Sequence, residues 1–215
     1  LIEAVRRDRR MARPLWISLD EWNVSYHTGE HQQTYNLRDA LADAIFLHMM
    51  QRHCNTVKMA NLAQTVNVIA PIRTRSDSLL RQTIYWPLWL AANVAGATLV
   101  DCWTDVETWG VDFIPDQAFP YLDAVATLDE AGKRLVVSVV NAHESADVEA
   151  EVTVAGPRMT DHAFVRTLTA DSPNACNSFE EPERVKLVAR EMVGGNCLIH
   201  TFPAHSQTVL ELEIA

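Results

Sequence analysis

Apolar positions along the chain change their spacing twice. Leu15, Trp16, Ile17, Ser18 and Leu19 form a mostly apolar run without alternation. This predicts a strand buried on both faces, as in a parallel sheet. Leu37, Leu41, Ile45, Leu47 and Met49 then recur at helical spacing. Asn36 is placed to cap that helix, with Asp39 at the third helical position completing a capping box. Residues 56–60 form a second apolar run, so strand, helix and strand make a βαβ unit. Before it, Leu1, Ile2 and Val5 share one side of a helix end that stops at Pro14. After it, residues 61–77 read as a long loop, and Ser78 as the cap of a helix running to Val94, kinked at Pro87.

Beyond Gly96 the pattern becomes short alternating runs. They cover residues 97–102, 122–126, 135–140, 148–154, 163–168, 185–188, 197–202 and 209–214. Asp129, Glu130, Ala131 and Gly132 signal a hairpin between two of them. Eight short strands predict an antiparallel β-sandwich of jelly-roll type, with the loop from Asp171 to Glu183 covering an edge. The expected organisation is α/β over residues 1–96 and all-β over residues 97–215.

The chemistry gathers where the first strand ends. Asp20, Glu21, Trp22 and Asn23 follow the apolar run directly. A (β/α)8 barrel presents its catalytic groups in this way, at the C-terminal rim of its strands. Asp20 or Asn23 can equally end the strand and order a turn.

Asp20, Glu21, Trp22, Asn23 and Val24 resemble the nucleophile strand of the α-L-arabinofuranosidases of glycoside hydrolase family 51. Tyr26 and His27 follow as they usually do in that family. The stretch Val57, Lys58, Met59, Ala60, Asn61, Leu62, Ala63, Gln64 and the run from Val66 to Ile72 resemble its next barrel strand and loop. Gln82, Thr83, Ile84, Tyr85 and Pro87 resemble the helix that follows. Pro120, Tyr121, Leu122, Asp123, Val140 and Asn141 fit its C-terminal β-domain.

The resemblance implies the C-terminal part of a (β/α)8 barrel followed by a β-sandwich. The parent activity it implies is retaining hydrolysis of terminal α-L-arabinofuranosyl residues from hemicellulosic oligosaccharides. Glu21 is then the nucleophile, Gln64 and Asn61 are sugar-binding amides, and Trp22 and Asn23 support the nucleophile. Asn61 also reads as a loop-ordering amide. No metal or other cofactor is implied. A retaining enzyme needs a second carboxylic acid about 5 to 5.5 Å from the first. In the family that acid is a Glu after an Asn on an earlier strand, which this sequence does not contain. Asp20 neighbours Glu21 in a strand and points to the other face. A full barrel takes about 250 residues. The opening Leu1 and helix end therefore read as a piece of a longer polypeptide, inactive alone, completed by the missing N-terminal part or by a homo-oligomer. Ser25 departs from the family, many members of which carry Trp there. A second reading is a non-catalytic module, either a carbohydrate-binding sandwich or an assembly domain.

Composition narrows the partners. The 215 residues are 48% hydrophobic and 21% charged, with a formal net charge of -10. This argues against nucleic-acid and anionic-membrane partners. The basic run Arg6, Arg7, Arg9, Arg10 and Arg13 reads as a solvated helix face. Cys54, Cys102, Cys176 and Cys197 lie far apart, and no signal peptide or membrane span is present. These point to reduced thiols in the cytoplasm. His27, Glu30 and His31 spell an inverted zinc motif without the helix that motif needs. Asn23, Val24 and Ser25 match a glycosylation sequon where a glycan would block the mouth. Trp103 and Trp109 flank an acidic loop, either as a sugar platform or as packing under the sandwich.

Overall fold

The computed structural model describes residues 1–25 and 33–215. A short helix α1 (Ile2–Asp8) buries no residue. It ends well before Pro14, since no packed face sustains further turns. Strand β1 (Ile17–Trp22), helix α2 (Leu37–Arg52) and strand β2 (Val57–Leu62) form the βαβ unit, with β1 and β2 parallel. Both strands run further than the apolar runs suggested. Trp22 pairs with Leu62, so Asp20, Glu21 and Asn61 lie within the ladder and not after it. The capping box of α2 is present: Asn36 Oδ1 accepts from the Asp39 N–H at 3.1 Å, and Asp39 Oδ2 accepts from the Asn36 N–H at 2.8 Å.

The next segment differs from expectation. Residues 72–81 fold as an antiparallel hairpin of β3 (Ile72–Arg75) and β4 (Ser78–Arg81). Ser78 therefore starts a strand and caps no helix. Helix α3 is short, Tyr85–Asn93. Pro87 falls in its first turn, where a backbone N–H has no intrahelical partner, so it neither kinks nor interrupts the helix. The side chains of Gln82 and Thr83 tie the intervening residues to other segments, which prevents an earlier helix start.

The C-terminal part contains all eight alternating runs as strands. These are β5 (Thr98–Val100), β8 (Leu122–Leu128), β9 (Arg134–Asn141), β10 (Val148–Thr153), β11 (Met159–Thr169), β12 (Lys186–Val193), β13 (Cys197–Phe202) and β14 (Ser206–Ile214). A further hairpin, β6 (Thr108–Val111) with β7 (Ile114–Pro120), carried no clear sequence signal. Six strands form one antiparallel sheet in the order β12-β11-β14-β9-β8-β5, and β10 pairs with β13 opposite it. In the β8–β9 hairpin Gly132 adopts φ 68°, and Asp129 Oδ1 accepts from the N–H groups of Lys133 and Arg134. Two strands cover only part of six, which leaves an apolar cleft of about 1310 Å³ lined by Ala126, Val137, Val139 and Phe202 among others.

The central strands of the six-stranded sheet are buried on both faces, while the edge strand β12 is mostly exposed. Leu135, Val137, Val139, Val165 and Leu210 face β10 and β13, with Phe202 and Leu198 opposite. On the other face Val140 and Leu168 pack with Leu37, Leu41, Ala44 and Ile84, while Val136 and Val209 pack with Leu90 and Val94. This explains why β9 reads as an almost unbroken apolar run. The loop from Asp171 to Glu183 reaches the start of α2, where Leu37 N–H donates to Ala175 O at 2.8 Å and Arg38 N–H to Pro173 O at 2.9 Å. Among the described residues, no helix is long and apolar enough to cross a membrane.

Candidate functional site

Between Leu19 and Trp22 three steps along β1 oppose two along β2, so Asp20 and Glu21 sit in an irregular stretch of the ladder. Trp22 turns toward α2 and stacks on Phe46 at 5.4 Å between centroids and 26° between planes. Ser18 Oγ donates to Asp20 Oδ1 at 2.6 Å. Glu21 lies one residue before Trp22, within that irregular stretch, at the C-terminal end of the parallel pair. The Trp22–Leu62 register sets Asn61 at the same end of the ladder. Glu21, Asn61 and Gln64 are all exposed.

Beyond the strands, three segments are joined by amide hydrogen bonds. Ala63 N–H donates to Trp22 O at 3.1 Å, and Gln64 N–H donates to Ile69 O at 3.1 Å, closing a short loop. Asn23 Nδ2 lies 2.8 Å from Ala63 O, 2.8 Å from Ile69 O and 3.0 Å from Tyr35 Oη. With its amide nitrogen so engaged, Asn23 is a structural tie, and the sequon is a coincidence of spelling. Within the loop, Asn67 and Val68 hold φ of 59° and 53°; the value is unusual for a β-branched residue. The Asn67 side chain braces the loop by bonding the backbone and hydroxyl of Thr74.

Two titratable groups in this part escaped sequence reading. Asp43 lies on the buried side of α2 at 1% exposure, and among the described residues its carboxylate has only a poorly aligned approach to the Val24 backbone N–H. Burial first, and the Asp39 charge one turn away second, push its pKa up to about 7. His48 is likewise buried. Its Nδ1 lies 2.6 Å from Asp123 Oδ1 and its Nε2 2.8 Å from Ser138 Oγ, while Arg52 bonds the second Asp123 oxygen. Burial alone would raise the Asp123 pKa. The His48 hydrogen bond and charge, with Arg52, outweigh it and hold the carboxyl below its usual range. The available signal was polar residues at positions where the helical stripe calls for apolar ones.

Other sequence candidates are dispersed. Tyr26, His27, Glu30 and His31 lie outside the described residues. Trp109 packs on Phe119 at 5.2 Å within the β6–β7 hairpin, whereas Trp103 is 83% exposed. All four cysteines are free. Among the described residues, no cluster of three or more His, Cys, Asp or Glu could hold a metal.

Residues 20–206 match the family model described as the α-L-arabinofuranosidase C-terminal domain. The chain is 34% identical over 204 residues to α-L-arabinofuranosidase C of Emericella nidulans, covering 90% of this chain and 39% of that protein. It is 32% identical over 179 residues to intracellular exo-α-(1→5)-L-arabinofuranosidase 1 of Bacillus subtilis, covering 71% of this chain and 33% of that one. Among solved structures, the arabinose complex of the Thermotoga maritima α-L-arabinofuranosidase superposes with a TM-score of 0.86 at 32% identity, covering 98% of this chain and 45% of that one. The chain thus spans about two fifths of the length of such relatives.

Proposed function

The chain belongs to the α-L-arabinofuranosidase C-terminal domain family, and from that premise we propose that it is the C-terminal portion of a retaining family 51 α-L-arabinofuranosidase. In this reading residues 1–96 are the last strands and helices of a (β/α)8 barrel, and residues 97–215 are its β-sandwich. Glu21 attacks the anomeric carbon of a terminal α-L-arabinofuranosyl residue, and Gln64 and Asn61 hydrogen-bond the sugar hydroxyls. Trp22 anchors the nucleophile strand to α2 by stacking on Phe46. The observation that carries the proposal is the placement of Glu21: exposed at the C-terminal end of a parallel strand whose last residue, Trp22, packs on α2, with Asn61 at the same end of the neighbouring strand.

The reaction runs through a covalent arabinosyl-Glu21 ester. A general acid protonates the departing oxygen and then, as base, activates the water that releases arabinose. In the family the acid is a Glu on an earlier barrel strand, so in this reading it comes from further polypeptide. Loss of general-acid assistance alone lowers rates by about 10² to 10⁴. The chain by itself is accordingly proposed to be inactive, with a neighbouring polypeptide segment or a second subunit completing the pocket. The cytoplasmic location suggested by reduced cysteines is part of the same proposal.

An aryl α-L-arabinofuranoside assay on the full-length polypeptide tests it. Glu21→Gln should abolish turnover while leaving the fold, and a fluorinated arabinosyl label should attach to Glu21. Labelling at Asp20, or an unchanged rate in the Gln variant, would sink the assignment. Specific turnover by the isolated chain would refute its proposed inactivity.

A further inference from the structure

We infer that Asn23 and Gln82 are positioning residues, forming a two-amide clamp that fixes the Gln64 loop against the strand carrying Glu21. The inference rests on the functional reading above and adds residues that act through Gln64 without touching substrate.

The loop from Ala63 to Pro71 has little ladder structure of its own, so its carbonyls need donors. Asn23, two residues after Glu21, supplies an amide nitrogen to Ala63 O and Ile69 O, one on each side of Gln64. Gln82 takes the next carbonyl: its Nε2 lies 2.7 Å from Ala70 O and 3.3 Å from Gln33 O. Its backbone N–H donates to Pro71 O at 2.8 Å. Both amides also grip Tyr35. Asn23 Nδ2 meets its hydroxyl, and Gln82 Oε1 accepts from its backbone N–H at 3.2 Å. Gln82, Tyr35 and Ala70 are all completely buried.

The chemistry at these positions is restrictive. A primary amide provides two N–H donors and one acceptor, whereas a carboxylate would turn only acceptors toward the carbonyls. The clamp's geometry puts the Gln64 loop in register with Trp22 and hence with Glu21. Side chains that merely filled the same volume would leave the Ala63 and Ala70 carbonyls without these donors and Gln64 held only by its own N–H on Ile69 O. A displacement of about 1 Å at a positioned group is enough to cost about 10²-fold in an enzyme.

The test is a double-mutant cycle in the full-length polypeptide, reading KM and kcat separately on an aryl α-L-arabinofuranoside. Asn23→Ala and Gln64→Ala should each raise KM about tenfold or more, with a smaller change in kcat. In the Gln64→Ala background, Asn23→Ala should add almost nothing. Gln82→Met, which keeps the side chain's bulk and removes its donors, should repeat the pattern and serves if Asn23→Ala does not fold. A KM within twofold of wild type in both Asn23→Ala and Gln82→Met, or effects that multiply in the double variant, would overturn the clamp. Glu21→Gln is the control: if it retains the wild-type rate, the functional reading itself is overturned, and the clamp's role in catalysis with it.

Discussion

His48 on α2 and Asp123 on β8 share a 2.6 Å hydrogen bond across the seam between helix and six-stranded sheet. Ser138 on β9 and Arg52 complete the arrangement from either side. The βαβ unit is thus joined to the sandwich by a satisfied polar cluster set among apolar contacts.

Asp123→Ala should destabilise the chain by about 1 to 3 kcal/mol, because it strands the buried His48 N–H without an acceptor. Since the Asp123 pKa is held low in the folded state, its contribution is present above about pH 4 and lost as acid protonates it. Urea titration at pH 3 and pH 7 should therefore show a larger difference between wild type and variant at pH 7.

Asp43 has the opposite sign. Its folded pKa of about 7 lies above the ordinary 3.8, so ionisation opposes folding. The penalty is absent below about pH 4, grows toward pH 7 and then levels off, reaching about 4 kcal/mol. Asp43→Asn keeps the shape without the charge. Its stability should match wild type near pH 4 and exceed it at pH 8, and parallel curves across that range would contradict the mechanism.

Gly96 has no room for a side chain. A Cβ there would come within 2.4 Å of the Leu128 carbonyl carbon and oxygen, which are backbone atoms at the end of β8. Gly96→Ala should therefore lower stability by about 1 to 3 kcal/mol through overpacking. A thermal melt unchanged from wild type would show that the β8–β9 hairpin shifts freely.

Hydrogen exchange should divide the chain along its packing. Helix α2 contributes Leu37, Ala40, Leu41 and Ala44 to a core shared with Val140 and Leu168 of the sheet. Its amides should exchange as slowly as those of β9 and β14. Amides of β1 and β2, a two-stranded sheet with mostly exposed or half-buried side chains, should exchange faster. Equal protection in both sets in a monomeric sample would mean that the parallel pair is stable without further neighbours.

Local pattern carried much of this organisation. The apolar runs specify the βαβ order, the Asn36–Asp39 capping box and the eight strands of the C-terminal part, because each depends on residues close in sequence. Glu21, Asn61 and Gln64 were legible as candidates, being polar groups just after the apolar runs. The tertiary structure decided the rest. Ser78 starts a strand because residues 72–75 lie opposite it, a pairing no helical periodicity reveals. Asn23 became a clamp only when carbonyls 40 and 46 residues away came within reach of its amide. Asp43 and His48 acquired their chemistry through burial on a helix that local spacing marks only as amphipathic. Dehydration and long-range partners determine the energy of such groups, and both arise when separate segments pack together.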